Sequence, residues 1–365
     1  VRKVFPANRR GKCDVRAIMF SLRWFTFAAA CTLAPLGLHA QTAPLRGGTL
    51  SIYFENDLFA GTDRYYTNGT KISWTSTDLT KFADTPYASP LLPLLNALPF
   101  INNPAFQKNL AFSIGQSIYT PDDTEPREPI PDDRPYAGWL YGEVGLIWKN
   151  GHERNTLLLN LGVVGPASGA QETQRFVHDL RGFPHPQGWN NQLHNEFAAM
   201  LTYEHTWRYT LRKSNRVGLN ADFLPFVGAK AGNVRTEANG GVELRVGLNL
   251  PDDFGTGTIA SDTTTSTPVE GDLAVRRAKA FDLGFYVFAR GEGRLVAHDI
   301  FLDGNTFGNS ISVHRNIAVA DLSLGAAVTW KNTSLTYAFV HRTKEYASEA
   351  GNGQNFGSVT LSVAF

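Results

Sequence analysis

Cysteine is almost absent from this 365-residue chain. Only Cys13 and Cys31 occur, and both precede the point where an export leader is expected to end. The remaining chain then has no thiol, which excludes a disulfide scaffold and a cysteine nucleophile. Charge is sparse too. Asp, Glu, Lys and Arg make up 18% of the residues, below the quarter usual in soluble domains. The formal net charge is only +1, so nucleic acid is excluded as a main partner. No run of 18 apolar residues follows residue 41, so no helix there spans a membrane. Familiar hydrolase signatures are missing as well. There is no G-x-S-x-G elbow, and GQSIY at 115–119 is a near miss inside an expected strand. There is no H-E-x-x-H zinc motif and no P-loop.

What is present begins with a leader. Arg16 and Arg23 flank Met19, and FTFAAACTLAPLGLHA follows. A basic start, an apolar stretch and small residues before Gln41 describe a secretory signal peptide. Cleavage is expected after Ala40, and residues 1–18 read as an upstream translation-start artefact. A membrane anchor fits less well, because Pro35 breaks a short apolar run. A lipoprotein reading of AAAC at 28–31 has a poor apolar lead-in. The expected organisation is a leader over 1–40 and one domain over 41–365.

That domain repeats with period two. In LSLGAAVTW, Leu322, Leu324, Ala326, Val328 and Trp330 share one face, and Ser323, Gly325 and Thr329 the other. GSVTLSVAF, RVGLNADF and VELRVGLNL alternate in the same way. This is the pattern of strands lying between a dry and a wet face. A sandwich buries the apolar set, whereas a transmembrane barrel turns it to lipid. Long strands, aromatics near strand ends (Tyr65, Tyr66, Trp139, Trp148, Trp207, Trp330) and a closing Phe365 favour the barrel.

The expected fold is an all-β, twelve-stranded antiparallel transmembrane barrel with a short helix in an outer loop. The strands are placed at 48–56, 67–77, 108–118, 137–149, 155–164, 196–211, 215–228, 240–250, 280–290, 317–330, 333–342 and 355–365. With the N-terminus in the periplasm, short turns at 150–154, 212–214 and 331–332 fall on one rim. Longer loops at 57–66, 119–136, 165–195, 229–239, 291–316 and 343–354 fall on the outer rim. Two segments break this asymmetry. Residues 78–107 suggest a small amphipathic helix at the membrane surface, and 251–279 a flexible excursion.

Three outer blocks carry candidate chemistry. In FENDLFAGTDRYYTNG, residues 54–69, Asn56, Asp57, Asp63 and Thr67 offer hard oxygens suited to calcium or magnesium. Ordinary turn chemistry accounts for the same composition. In YTPDDTEPREPIPDDRPYAGWLYGE, residues 119–143, Arg127 and Arg134 could grip phosphates, though most of the block reads as a stiff solvated loop. In GPASGAQETQRFVHDLRGFP, residues 165–184, Gln171, Gln174 and His178 share one face of a helix. His178 could act as a general base, and a bland surface histidine is the competing reading. His185 and His194 are nearby reserves.

Together and in order, ENDLF, DRYYTNG, QSIYTP, DRPYAGW and GPASGAQETQRFVHDLRG resemble the outer-membrane lipid A 3′-O-deacylases over residues 48–365. The resemblance implies a calcium-dependent hydrolase that removes the 3′-linked acyloxyacyl group from lipid A of lipopolysaccharide in the outer membrane. It places the family's Asn-Asp pair on Asn56 and Asp57, its threonine on Thr67, and its glutamine and histidine on Gln174 and His178. These five form the implied catalytic set, with Asp57 and Asn56 toward Ca2+. A substrate-binding basic position falls on Arg127, while the position beside it is Pro126, a departure from the family pattern. An outer-membrane phospholipase A-like esterase and a non-enzymatic porin or structural barrel are the competing functions.

Overall fold

The structure, a computed structural model, describes residues 47–61, 64–82, 101, 103–213, 218–259 and 283–365. The expected leader over 1–40, Asp63 and residues 83–100 of the expected surface helix lie outside that set.

The strands are β1 (Thr49–Asn56), β2 (Tyr65–Thr75), β3 (Gln107–Thr120), β4 (Ala137–Lys149), β5 (Glu153–Val164), β6 (Glu196–Trp207), β7 (Tyr209–Lys213), β8 (Leu219–Gly232), β9 (Arg235–Leu248), β10 (Leu283–Asp299), β11 (Ala318–Trp330), β12 (Thr333–Arg342) and β13 (Gln354–Ala364). Among the described residues two α-helices join them, α1 (Ala170–Arg181) and α2 (Ile300–Asp303). Neighbours along the chain pair antiparallel, and β1 pairs β13 at the seam. Pairing of β6 with β8 closes the sheet, and β7 continues along the same edge of β8. β6 and β7 are therefore one barrel strand interrupted at Arg208. Its backbone N–H donates to the His152 carbonyl at 2.7 Å, outside the ladder. The wall has twelve strands.

Burial decides which face is dry. Leu322 and Leu324 are 53% and 54% exposed, while Asp321 and Ser323 are each only 6% exposed. The apolar set points outward on strand after strand, and the polar set fills the inside. That inversion is what lipid on the outside demands. Among the described residues no helix is long and apolar enough to cross a membrane.

The lumen is packed with paired charge. Lys71 Nζ lies 2.9 Å from Glu143, which also accepts from Ser113 and Asn160. Arg294 and Arg342 share Asp321 at 2.8 and 2.9 Å. At the outer mouth α2 places Phe301 against Tyr119, with ring centroids 4.1 Å apart.

Three expectations need correction. Residues 229–239 are not a long outer loop. β8 runs to Gly232 and β9 starts at Arg235, leaving a two-residue turn. Inward Lys230 and Glu237 pair at 3.0 Å, so the wet-face alternation continues above the apolar belt. For the same reason β10 continues to Asp299, and the loop expected at 291–316 is shorter. The described part of 251–279 is no loose excursion. Residues 250–259 thread the lumen: Asp253 pairs with Arg245, Thr256 hydroxyl donates to Glu243 at 2.9 Å, and Ile259 N–H donates to Glu55 at 2.8 Å. Buried charges on the inner wall draw in backbone and side-chain partners.

Candidate active site on the outer face of the wall

On β1, Ser51, Tyr53 and Glu55 face the lumen, while Leu50, Ile52 and Phe54 are exposed to the outside. Strand alternation places Asn56 on the outward set. Asn56 is nevertheless buried. Its Oδ1 accepts from Leu58 N–H at 2.9 Å and caps the tight turn Asp57–Ala60. Asp57, at 1% exposure, accepts the backbone N–H of Arg64. The Arg64 guanidinium itself turns to Asp122 in the second outer loop.

Thr67 sits in a bulge of β2, where pairing with β3 shifts between Tyr66 and Asn68. The extra residue re-aims the side chain. Its hydroxyl lies 2.7 Å from that of Thr120, and both are buried. Ser113 of β3 faces the lumen beside Glu143, so Ile114, Gln116, Ile118 and Thr120 form the outward row. Asn56 and Thr67 thus stand on the outer side of the wall.

The helix comes to that same side. Gly138 belongs to the outward row of β4, since Trp139, Tyr141 and Glu143 point inward. A Cβ on Gly138 would lie 2.2 Å from both Ala170 Cβ and Ser168 Oγ. Only glycine lets α1 pack this closely. Gln116 Nε2 donates to the Ser168 carbonyl at 2.7 Å and ties the helix start to β3. Gly169 opens α1 and Gly182 ends it, both at φ 68°. Ala170, Gln174 and His178 recur every fourth residue and form its buried stripe. Gln171, expected on that face, is half-buried at its edge. Phe176 and Leu180 are 68% and 75% exposed on the other side.

One contact sets the tautomer of His178. Its Nδ1 lies 2.6 Å from the Pro184 carbonyl oxygen. A carbonyl only accepts, so Nδ1–H donates, and the neutral ring presents Nε2 as the accepting nitrogen. Phe183 meets the imidazole edge-on at 5.9 Å. Four residues earlier, Gln174 Oε1 accepts the indole N–H of Trp189 at 2.8 Å. Gln174 Nε2 is buried and has no hydrogen-bond partner among the described residues. Trp189 escaped the sequence reading; its signal is only an aromatic among turn-forming residues.

The second outer loop is knitted to the third. Gln187 N–H donates to the Thr124 carbonyl at 2.9 Å, and Asn191 Nδ2 to the Arg127 carbonyl at 2.5 Å. Arg127 is exposed beside this seam, with its backbone held and its guanidinium at the surface. Arg134 corrects an expectation. It is 1% exposed, 3.0 Å from Glu345 and stacked over Tyr119, so it belongs to the inner network and cannot grip a substrate phosphate. The reserve histidines stay outside the stripe: His185 is exposed against Asp179 at 2.6 Å, and His194 is exposed.

The donor chemistry around Asn56 and Asp57 fits a hard cation. Both side chains offer only oxygen toward a metal, and both are buried. The capping amide oxygen of Asn56 retains a second lone pair. Among the described residues no three His, Cys, Asp or Glu side chains form a metal cluster, so the remaining ligands would be carbonyls, hydroxyls, water or substrate.

No curated protein sequence matches the chain. A family model described as outer membrane protein LpxR matches residues 25–365. The structure is similar to LpxR from Salmonella typhimurium, at TM-score 0.66 and 21% identity, covering 87% of this chain and all of that one. It is also similar, at TM-score 0.43 and 10% identity, to the β domain of the Bordetella autotransporter BrkA, covering 88% and 100% of the two chains. With the family match spanning almost the whole sequence and the barrel matching in fold, the chain belongs to the LpxR family of outer-membrane proteins.

Proposed function

We propose that this protein is a lipid A 3′-O-deacylase: a calcium-dependent hydrolase removing the 3′-linked acyloxyacyl group in the outer leaflet. Family membership supports the class of reaction. The observation that carries the reading is His178, buried on the outer side of the wall with Nδ1–H committed to the Pro184 carbonyl. A general base needs an accepting nitrogen, and with Nδ1–H committed to the carbonyl that nitrogen is Nε2.

Nε2 of His178 takes a proton from water as the water oxygen bonds to the ester carbonyl carbon. The carbon–oxygen bond to the sugar then breaks, and the protonated imidazole returns the proton to the departing 3′ oxygen. The products are the free acid and the 3′ hydroxyl. Asp57 and Asn56 would hold calcium, which when bound supplies Lewis-acid stabilisation of the oxyanion. Thr67 orients the groups at the foot of β2, and Gln174 the ester or imidazole. Arg127 meets a lipid A phosphate at the surface. The location suits the substrate, because lipid A stands beside the wall and the lumen is occupied by 250–259 and paired charges. That filling also speaks against a passive pore.

Purified protein incubated with lipid A, with calcium or with chelator, tests this by mass spectrometry. Loss of the 3′ acyloxyacyl group only with calcium is the expected result. Intact lipid A, or lysophospholipid from added phospholipid instead, overturns the substrate reading. Equal activity in chelator overturns the calcium part.

A further inference from the structure

We propose that Trp189 is a positioning residue, fixing the Gln174 side chain so that its amide NH2 is presented to the reacting ester oxygen. The inference rests on the ester hydrolysis proposed above. An amide side chain can rotate half a turn and exchange its oxygen for its nitrogen. Indole N–H is a donor only, so its bond at 2.8 Å specifies oxygen at the Trp189 end. The NH2 then points away from Trp189. It is buried and makes no hydrogen bond among the described residues. Most buried polar groups have a partner, and this donor lies where an acceptor brought by a ligand can supply one. Gln174 lies one turn before His178 on the same buried stripe of α1, so the acceptor nearest to hand is the oxygen of the ester that His178 serves.

Trp189 is built to hold this position. It is 2% exposed, and its ring packs 5.0 Å from Tyr136. The turn carrying it, Gly188–Asn191, is pinned to the second loop through Asn191 and the Arg127 carbonyl. A Cβ on Gly188 would meet Tyr136 at 2.5 Å, so the turn sits hard against that loop. The direction of the Gln174 amide is therefore set by the junction of two outer loops.

Trp189→Phe keeps the ring and removes the donor. The expected result is a roughly tenfold fall in kcat with KM within about twofold. In a Gln174→Ala background the same change should cost nothing further. An unchanged kcat, or an equal loss in the Gln174→Ala background, overturns the proposal. A second readout needs no turnover: the Trp189 indole N–H, 15N-labelled in detergent-solubilised protein, should exchange slowly and should shift and speed up in Gln174→Ala. An unshifted indole signal overturns the proposal even if Trp189→Phe fails to fold. Wild-type protein that leaves lipid A intact fails the functional reading alone, because the indole signal still reports the contact.

Discussion

The two sides of the barrel wall use buried polar groups in opposite ways. Inside, charge is matched by charge: Arg134 with Glu345, Arg342 with Asp321 and Glu345, Arg294 with Asp321. Outside, the buried stripe of α1 carries one imidazole and one amide, with a donor of the amide unpaired among the described residues. The inner ion pairs over-determine a shape, even though Arg134 Nε and Arg294 Nε also lack a hydrogen bond among the described residues. The outer stripe sets an oriented imidazole beside an oriented amide on the side where lipid stands. The lumen is thus the scaffold and the outer face the reactive surface, although the lumen holds far more of the ionisable groups.

The largest expected effect breaks the scaffold side. Arg342→Met leaves Asp321 with Arg294 and Glu345 with Arg134 as their remaining cations, and should destabilise the barrel by about 3 kcal/mol. Denaturant unfolding monitored by heat-modifiable mobility checks it. Activity per folded molecule should be retained, and a selective loss of kcat would erase the contrast between the two sides of the wall. Asp57→Asn makes the complementary cut. It keeps an acceptor for Arg64 N–H and removes the charge, so stability should hold while the rate at fixed calcium falls roughly 10²-fold. The calcium concentration needed for half-activity should rise in the same titration. Arg127→Ala, at an exposed position, should raise KM a few-fold and leave kcat alone.

The smallest effect is one of pH, in the outer loop 343–353. Burial, then the nearby Glu345 carboxylate, push Glu349 up to about 7. Glu345 is itself drawn up by burial but held well below the usual range by Arg342 and Arg134. The folded state therefore favours protonated Glu349. Its contribution to stability is present at low pH and is lost as pH rises from about 4.5 through about 7. Glu349→Gln should flatten the unfolding midpoint across that window. A wild-type midpoint that rises with pH there, with the slope unchanged in the variant, would contradict this.

Much of this was legible in the sequence, and the reasons are physical. Period-two alternation such as Leu322, Leu324 and Val328 against Ser323 and Thr329 is enforced along each strand by lipid and lumen, so strand count and rim assignment follow. Burial, however, was needed to show which set faces out. His178 and Gln174 could be paired by helical spacing alone. Residues 229–239 were misplaced because small and charged residues there look like a loop, while the ladder is carried by the Lys230–Glu237 pair. Residues 250–259 carry no periodic signal at all; their path is fixed by Arg245, Glu243 and Glu55, which are remote in sequence. Trp189 and the inward turn of Arg134 likewise depend on partners 15 and 211 residues away.

The most direct test of the central claim compares lipid A from outer membranes carrying wild-type protein and His178→Ala at matched abundance of folded barrel. Wild-type protein should yield lipid A lacking its 3′ acyloxyacyl group, and His178→Ala a rate lower by about 10²–10⁴-fold. Full deacylation by the His178→Ala protein would contradict it.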